Sequence, residues 1–83
     1  MAKILVIEDE RVHQKVLDYN LRQAGHDVLF TPRGEEGMRI AREVRPEVIL
    51  LDLLLPDLPG TEVCKTLQKN LETIKKVKAM LGG

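Results

Sequence analysis

Glu8, Asp9 and Asp52 are the residues of this sequence best placed to do chemistry. They close two apolar runs, Ile4-Leu5-Val6-Ile7-Glu8-Asp9 and Val48-Ile49-Leu50-Leu51-Asp52. Runs this rich in β-branched residues read as strands buried on both faces, the pattern of a parallel sheet. In open α/β sheets, functional groups collect just beyond the carboxyl ends of the strands. If the two strands are neighbours, the three carboxylates converge on one patch, where they repel one another unless a cation or a proton intervenes. Hard oxygen donors suit Mg²⁺, which accepts one or two protein carboxylates, several waters and a phosphate. The chemistry expected is therefore an acidic Mg²⁺ pocket with one carboxylate as nucleophile. A cation that offsets charge on both partners eases attack on a phosphoryl donor, and phosphoryl transfer depends mostly on positioning and charge neutralisation. The plainer reading makes Glu8 and Asp9 the polar end of a strand and the N-cap of a helix, a role worth about 1 kcal/mol.

The elements that must position these groups follow in order. Lys3 to Ile7 reads as the first strand. Residues 11–24 carry Val12, Val16, Leu17, Leu21 and Ala24 in a one-sided helical stripe. Gly25 sits where a helix commonly stops in a left-handed conformation. Asp27 to Thr31 reads as a second strand and Pro32-Arg33-Gly34 as a turn. Glu35 and Glu36 give the next helix a negative first turn. That helix runs to about Val44 and must end near Arg45, because Pro46 disfavours helical geometry before it. Glu47 to Leu51 is the third strand and residues 52–59 a loop with two prolines. The βαβαβ order, with crossovers long enough to hold helices, implies parallel connections. From Gly60 to Leu81 there is no proline, and apolar residues fall at Val63, Leu67, Leu71, Ile74, Val77 and Leu81. This spacing predicts one long amphipathic helix of about six turns, with the lysines around Lys75 as its wet face. The fold expected is α/β: a three-stranded parallel sheet with three helices, residues 1–59 as core and 60–81 as terminal helix of a single 83-residue domain.

Composition narrows the partners. Thirteen basic and thirteen acidic residues cancel, and only Tyr19 and Phe30 are aromatic. Neither a basic excess nor a stacking platform for nucleic acid is visible. No apolar run approaches the length of a membrane span, and the opening residues do not read as a signal peptide. The single cysteine, Cys64, rules out an internal disulfide and reads as a free, half-buried thiol in a reducing cytoplasm. His13 and His26 read as solvated residues and Asp57 as a loop or turn residue. No group of His and Cys has zinc-ligand spacing.

The carboxylate-tipped runs, Gly34-Glu35-Glu36-Gly37, and the stretch Arg45-Pro46-Glu47 through Asp52-Leu53-Leu54-Leu55-Pro56-Asp57-Leu58-Pro59-Gly60 together resemble the receiver domain of bacterial two-component response regulators. The match covers residues 3 to about 70. The resemblance implies a flavodoxin-like fold with strand order 2-1-3 over the first half. It makes Asp52 the phosphoacceptor and places Mg²⁺ on Glu8, Asp9, Asp52 and the backbone carbonyl of Leu54. It also implies a sensor histidine kinase as partner. A full receiver continues with a fourth strand ending in Ser or Thr and a fifth ending in Lys; with residues 60–81 read as helix, neither is present. The expectation is accordingly a receiver cut to its first half and engineered. Such a fragment would be a folded scaffold rather than an enzyme, with a remnant phosphoacceptor site and weak or absent Mg²⁺ binding. Its third strand would become an apolar sheet edge, which invites pairing with another chain. A homodimer through that strand or through the long helices follows. The alternative is a functional receiver phosphorylated on Asp52. A haloacid-dehalogenase-type phosphatase would need an aspartate two positions after its nucleophile, where Leu54 stands.

Overall fold

The structure, a computed structural model, describes residues 2–52, 55–70 and 76–80. The first strand, β1, is Lys3–Ile7; α1 is Arg11–Gln23; β2 is Asp27–Thr31; α2 is Gly34–Val44; β3 is Val48–Asp52; α3 is Gly60–Asn70; and β4 is Lys76–Met80. The strands form one parallel sheet in the order β2-β1-β3-β4. The α/β class, the parallel 2-1-3 arrangement and the three helices are as expected. Gly25 adopts the left-handed conformation (φ 88°) past α1, and Arg45 does the same (φ 53°) past α2, ahead of Pro46.

The sheet divides the core in two. On one face Leu5, Ile7, Ile49 and Leu51 meet Ala41 of α2 and Val63 and Leu67 of α3, all essentially inaccessible to water. On the other, Ile4, Val6 and Val28 pack with half-buried Leu17 and Leu21 of α1. Alternate residues of β1 thus serve opposite faces, which is why that strand is apolar throughout. The glycines of α2 allow the first face to close. A Cβ on Gly37 would fall 2.7 Å from Ile7 Cγ1, and one on Gly34 would fall 2.8 Å from Val63 Cγ2.

The long helix expected over residues 60–81 does not form: α3 stops at Asn70 and residues 76–80 are extended. Val77 lies in register with Ile49 and Lys78 with Leu50. Lys76-Val77-Lys78-Ala79-Met80 contains a polar–apolar alternation of period two, submerged in the sequence beneath a longer helical spacing. Two physical terms favour the strand. An 11-residue helix measures about 16 Å and a five-residue strand about 17 Å, so α3 returns the chain to the level where β3 began; 22 helical residues would overshoot it. Pairing also satisfies the backbone groups that β3 would otherwise expose. β3 therefore lies between β1 and β4 and is not a sheet edge, so the expected dimer contacts through a bare third strand or long helices lose their structural basis. Among the described residues the sheet has four strands rather than three, and the order 2-1-3 is its first part.

Candidate functional site

The β1–β3 register sets Ile7 beside Leu51, so the next residues, Glu8 and Asp52, leave the sheet side by side. With Asp9 they form a group whose carboxylate oxygens lie within 4.8 Å of one another. Glu8 and Asp52 are only 3% and 1% exposed, while Asp9 faces solvent. The convergence expected from the two strand ends is therefore present. The carbonyl of Leu54, the fourth expected ligand, lies outside the described residues.

Glu8 is tightly held. Its N–H donates to the Thr31 carbonyl at 2.9 Å, carrying the ladder to β2 one residue past the strand. Its carbonyl accepts from the side-chain amide of Gln14, and its Oε2 accepts from the Glu10 N–H at 3.0 Å. Its Oε1 lies 3.4 Å from His13 Nδ1. Burial raises the Glu8 pKa above the ordinary carboxylate value; the Glu10 N–H opposes this, and neighbouring Asp52 reinforces it. Two buried carboxylates in contact are held together by a shared proton or a cation, and an all-oxygen donor set fits a hard divalent ion.

The N-cap alternative for Asp9 is not realised: Glu10 occupies the N-cap of α1, and no side chain caps it there. Neither histidine is simply solvated. His13 is half-buried against Glu8 and Glu10, and His26 Nδ1 accepts from the Ala2 N–H at 2.9 Å. Asp57 is a loop residue, as expected, but it has a defined task. Its two oxygens accept from the N–H groups of Gly34 at 2.8 Å and Glu35 at 3.1 Å, capping α2 from across the fold. Those bonds lower its pKa. The sequence signal for this cap was indirect: the α2 N-cap position is held by Arg33, whose side chain cannot accept a hydrogen bond.

Comparisons with known proteins bear on this arrangement. A family model described as the response regulator receiver domain matches residues 4–79. The alkaline phosphatase synthesis transcriptional regulatory protein PhoP of Bacillus subtilis is 45% identical over 67 residues, covering 81% of this chain and 28% of that protein. Transcriptional regulatory protein AfsQ1 of Streptomyces coelicolor is 38% identical over 69 residues, covering 83% of this chain and 31% of that one. The chain thus spans less than a third of the length of these curated relatives. Among solved structures, the MaeR response regulator bound to beryllium trifluoride superposes with a TM-score of 0.88 and 20% identity, over 100% of this chain and 69% of that chain. At that identity the likeness speaks for the fold.

Proposed function

Because this chain belongs to the response regulator receiver domain family, we propose that it is a phosphoacceptor module of two-component signalling, with Asp52 as the residue that takes the phosphoryl group. The observation that supports this best is the meeting of Glu8, Asp9 and Asp52 at the carboxyl ends of β1 and β3. Asp52 ends the interior strand β3, which pairs with β1 as far as Leu51 and with β4 through Asp52 itself. A carboxylate oxygen of Asp52 attacks the phosphorus of the donor, and the bond from phosphorus to the donor's leaving group breaks as the acyl phosphate forms.

Glu8 and Asp9, with Asp52, are the residues that would hold Mg²⁺. When bound, the cation neutralises charge on the pocket and on the incoming phosphoryl oxygens. The role of Glu8 is to present its buried carboxylate at a fixed angle, which its bonds to Glu10 and Thr31 secure. Asp9, exposed at the rim, brings negative charge without the same desolvation. Beryllium trifluoride, to which the MaeR response regulator is bound, has the size and charge of a phosphoryl group, and in this reading the corresponding pocket of this chain accepts it.

The self-associating part of the scaffold reading rested on a bare third strand, which β4 covers; its inert part rested on the hydroxyl and lysine that a full receiver carries at the ends of its fourth and fifth strands. A sensor histidine kinase remains the proposed partner by family. Val12, Val16 and Tyr19, which are 63%, 54% and 66% exposed along α1, give a partner protein an apolar row that begins beside the pocket. The test is intact-mass spectrometry after incubation with acetyl phosphate and Mg²⁺. A gain of one phosphoryl group is expected, lost on chelation of the metal and lost in Asp52→Asn. An unmodified mass, or the same gain in Asp52→Asn, would overturn the assignment.

A further inference from the structure

The loop that follows Asp52 is fastened to α2, a helix it does not lead into. Asp57 stands five residues after Asp52, and its Oδ1 and Oδ2 accept from the N–H groups of Gly34 at 2.8 Å and Glu35 at 3.1 Å. Apolar contacts reinforce that clasp. Half-buried Leu55 and Leu58 pack against the core, so near α2 that a Cβ on Gly34 would fall 3.3 Å from Leu55 Cδ1 and 3.4 Å from Leu58 Cβ. Beyond them the Pro59 carbonyl accepts from the Glu62 and Val63 N–H groups at 3.0 and 3.2 Å, opening α3. The first N–H groups of α2 need acceptors, but a Ser or Asp at position 33 would supply one locally. Arg33 stands there and makes no side-chain cap. The acceptor comes from the loop instead, so the bonds that complete the helix also tie down the chain after Asp52.

We infer that Asp57 is a positioning residue for the acidic pocket: by clasping the start of α2 it fixes the loop after Asp52 in the arrangement that binds the cation. The inference rests on the Mg²⁺-pocket reading above and deepens it. Only two residues, 53 and 54, separate Asp52 from Leu55 in the sequence, so three Cα steps of about 3.8 Å must join the strand end to the anchored loop. Holding Leu55, Asp57 and Leu58 on α2 therefore limits the direction in which the chain leaves Asp52. The carbonyl of Leu54, expected from the family resemblance as a ligand, belongs to this link. A site whose competent arrangement is populated only part of the time binds more weakly in proportion to that fraction. Releasing the clasp thus weakens Mg²⁺ binding although Asp57 touches neither Glu8 nor Asp9 nor Asp52 among its hydrogen bonds to Gly34 and Glu35.

Calorimetric titration of the full chain with Mg²⁺, well below its melting temperature, tests this with two variants. Asp57→Ala is expected to weaken Mg²⁺ about fivefold, the factor equivalent to one lost cap. Asp57→Asn keeps an acceptor oxygen and caps about as well as aspartate, so it should stay within about twofold of the unmodified chain although its charge is gone. A cap that served only the helix would shift the melting temperature and leave the affinity of the folded chain alone. Linkage adds a second readout: saturating Mg²⁺ should slow hydrogen exchange at the Gly34 and Glu35 amides of the unmodified chain, and not in Asp57→Ala. Equal losses in the two variants would assign the effect to charge and overturn the inference. Unchanged affinity in Asp57→Ala, or amides that exchange alike with and without Mg²⁺, would overturn it too. An unmodified chain that binds no Mg²⁺, or binds it indifferently to Asp52→Asn, would instead overturn the pocket reading, and the inference with it.

Discussion

Glu8 and Asp57 respond to pH in opposite directions, and the difference follows from what each oxygen touches. Glu8 is buried against Asp52, so its folded-state pKa lies above the ordinary 4.5. The native state then binds more protons than the unfolded chain, and the contribution of Glu8 to stability, complete below that value, is lost as pH rises through the elevated pKa. In the metal-free protein Glu8→Gln is expected to raise the melting temperature at neutral pH while weakening Mg²⁺ binding. A melting temperature lower than that of the unmodified chain would contradict this. Asp57 is held below its ordinary 3.8 by the Gly34 and Glu35 N–H groups. Its contribution is present above that value and fades as pH falls through the depressed pKa. Asp57→Ala should cost about 1 kcal/mol, as loss of an N-cap does, read as a lower urea midpoint. Of these groups, the carboxylate triad was legible in the sequence because strand ends carry it. The Asp57 cap and the His13 contact were not, because they depend on how the loop after β3 and the first turn of α1 fold back.

At the scale of elements, the glycines of α2 set how closely that helix approaches the sheet. Gly37→Ala drives a methyl group into Ile7, which is fully buried. Overpacking of this kind costs about 1–3 kcal/mol, so the urea midpoint should fall; an unchanged midpoint would mean α2 sits farther from β1. Leu67→Ala removes a wholly buried side chain where α3 meets the core and should cost about 2–5 kcal/mol. β1 and β2 were legible to the residue, since apolar runs bounded by charge and turn residues leave little choice. β4 was not. Its five residues carry lysines, and apolar residues spaced at three and four from Val63 through Leu81 outweigh them locally. The competing term is non-local: β3 has one edge left to pair, and no window of sequence around Val77 shows that edge.

Across the whole molecule, β4 changes what the protein is. With β3 interior, β2 and β4 are the edges of the sheet among the described residues, and the acidic pocket sits near the middle of its carboxyl end rather than on a rim. Native-state hydrogen exchange should therefore find the slowest amides in β1 and β3, with those of β2 and β4 faster. Rapid exchange in β3 would restore the bare-edge picture and, with it, the grounds for strand-mediated self-association. The most direct measurement of the central claim, that Glu8, Asp9 and Asp52 form one cation-dependent phosphoryl pocket, is ¹⁹F NMR with beryllium fluoride. In the presence of Mg²⁺ a protein-bound beryllium trifluoride resonance should appear, and it should vanish in Asp52→Asn and on removal of Mg²⁺. No bound resonance in the unmodified chain, or one that survives in Asp52→Asn, would contradict the account.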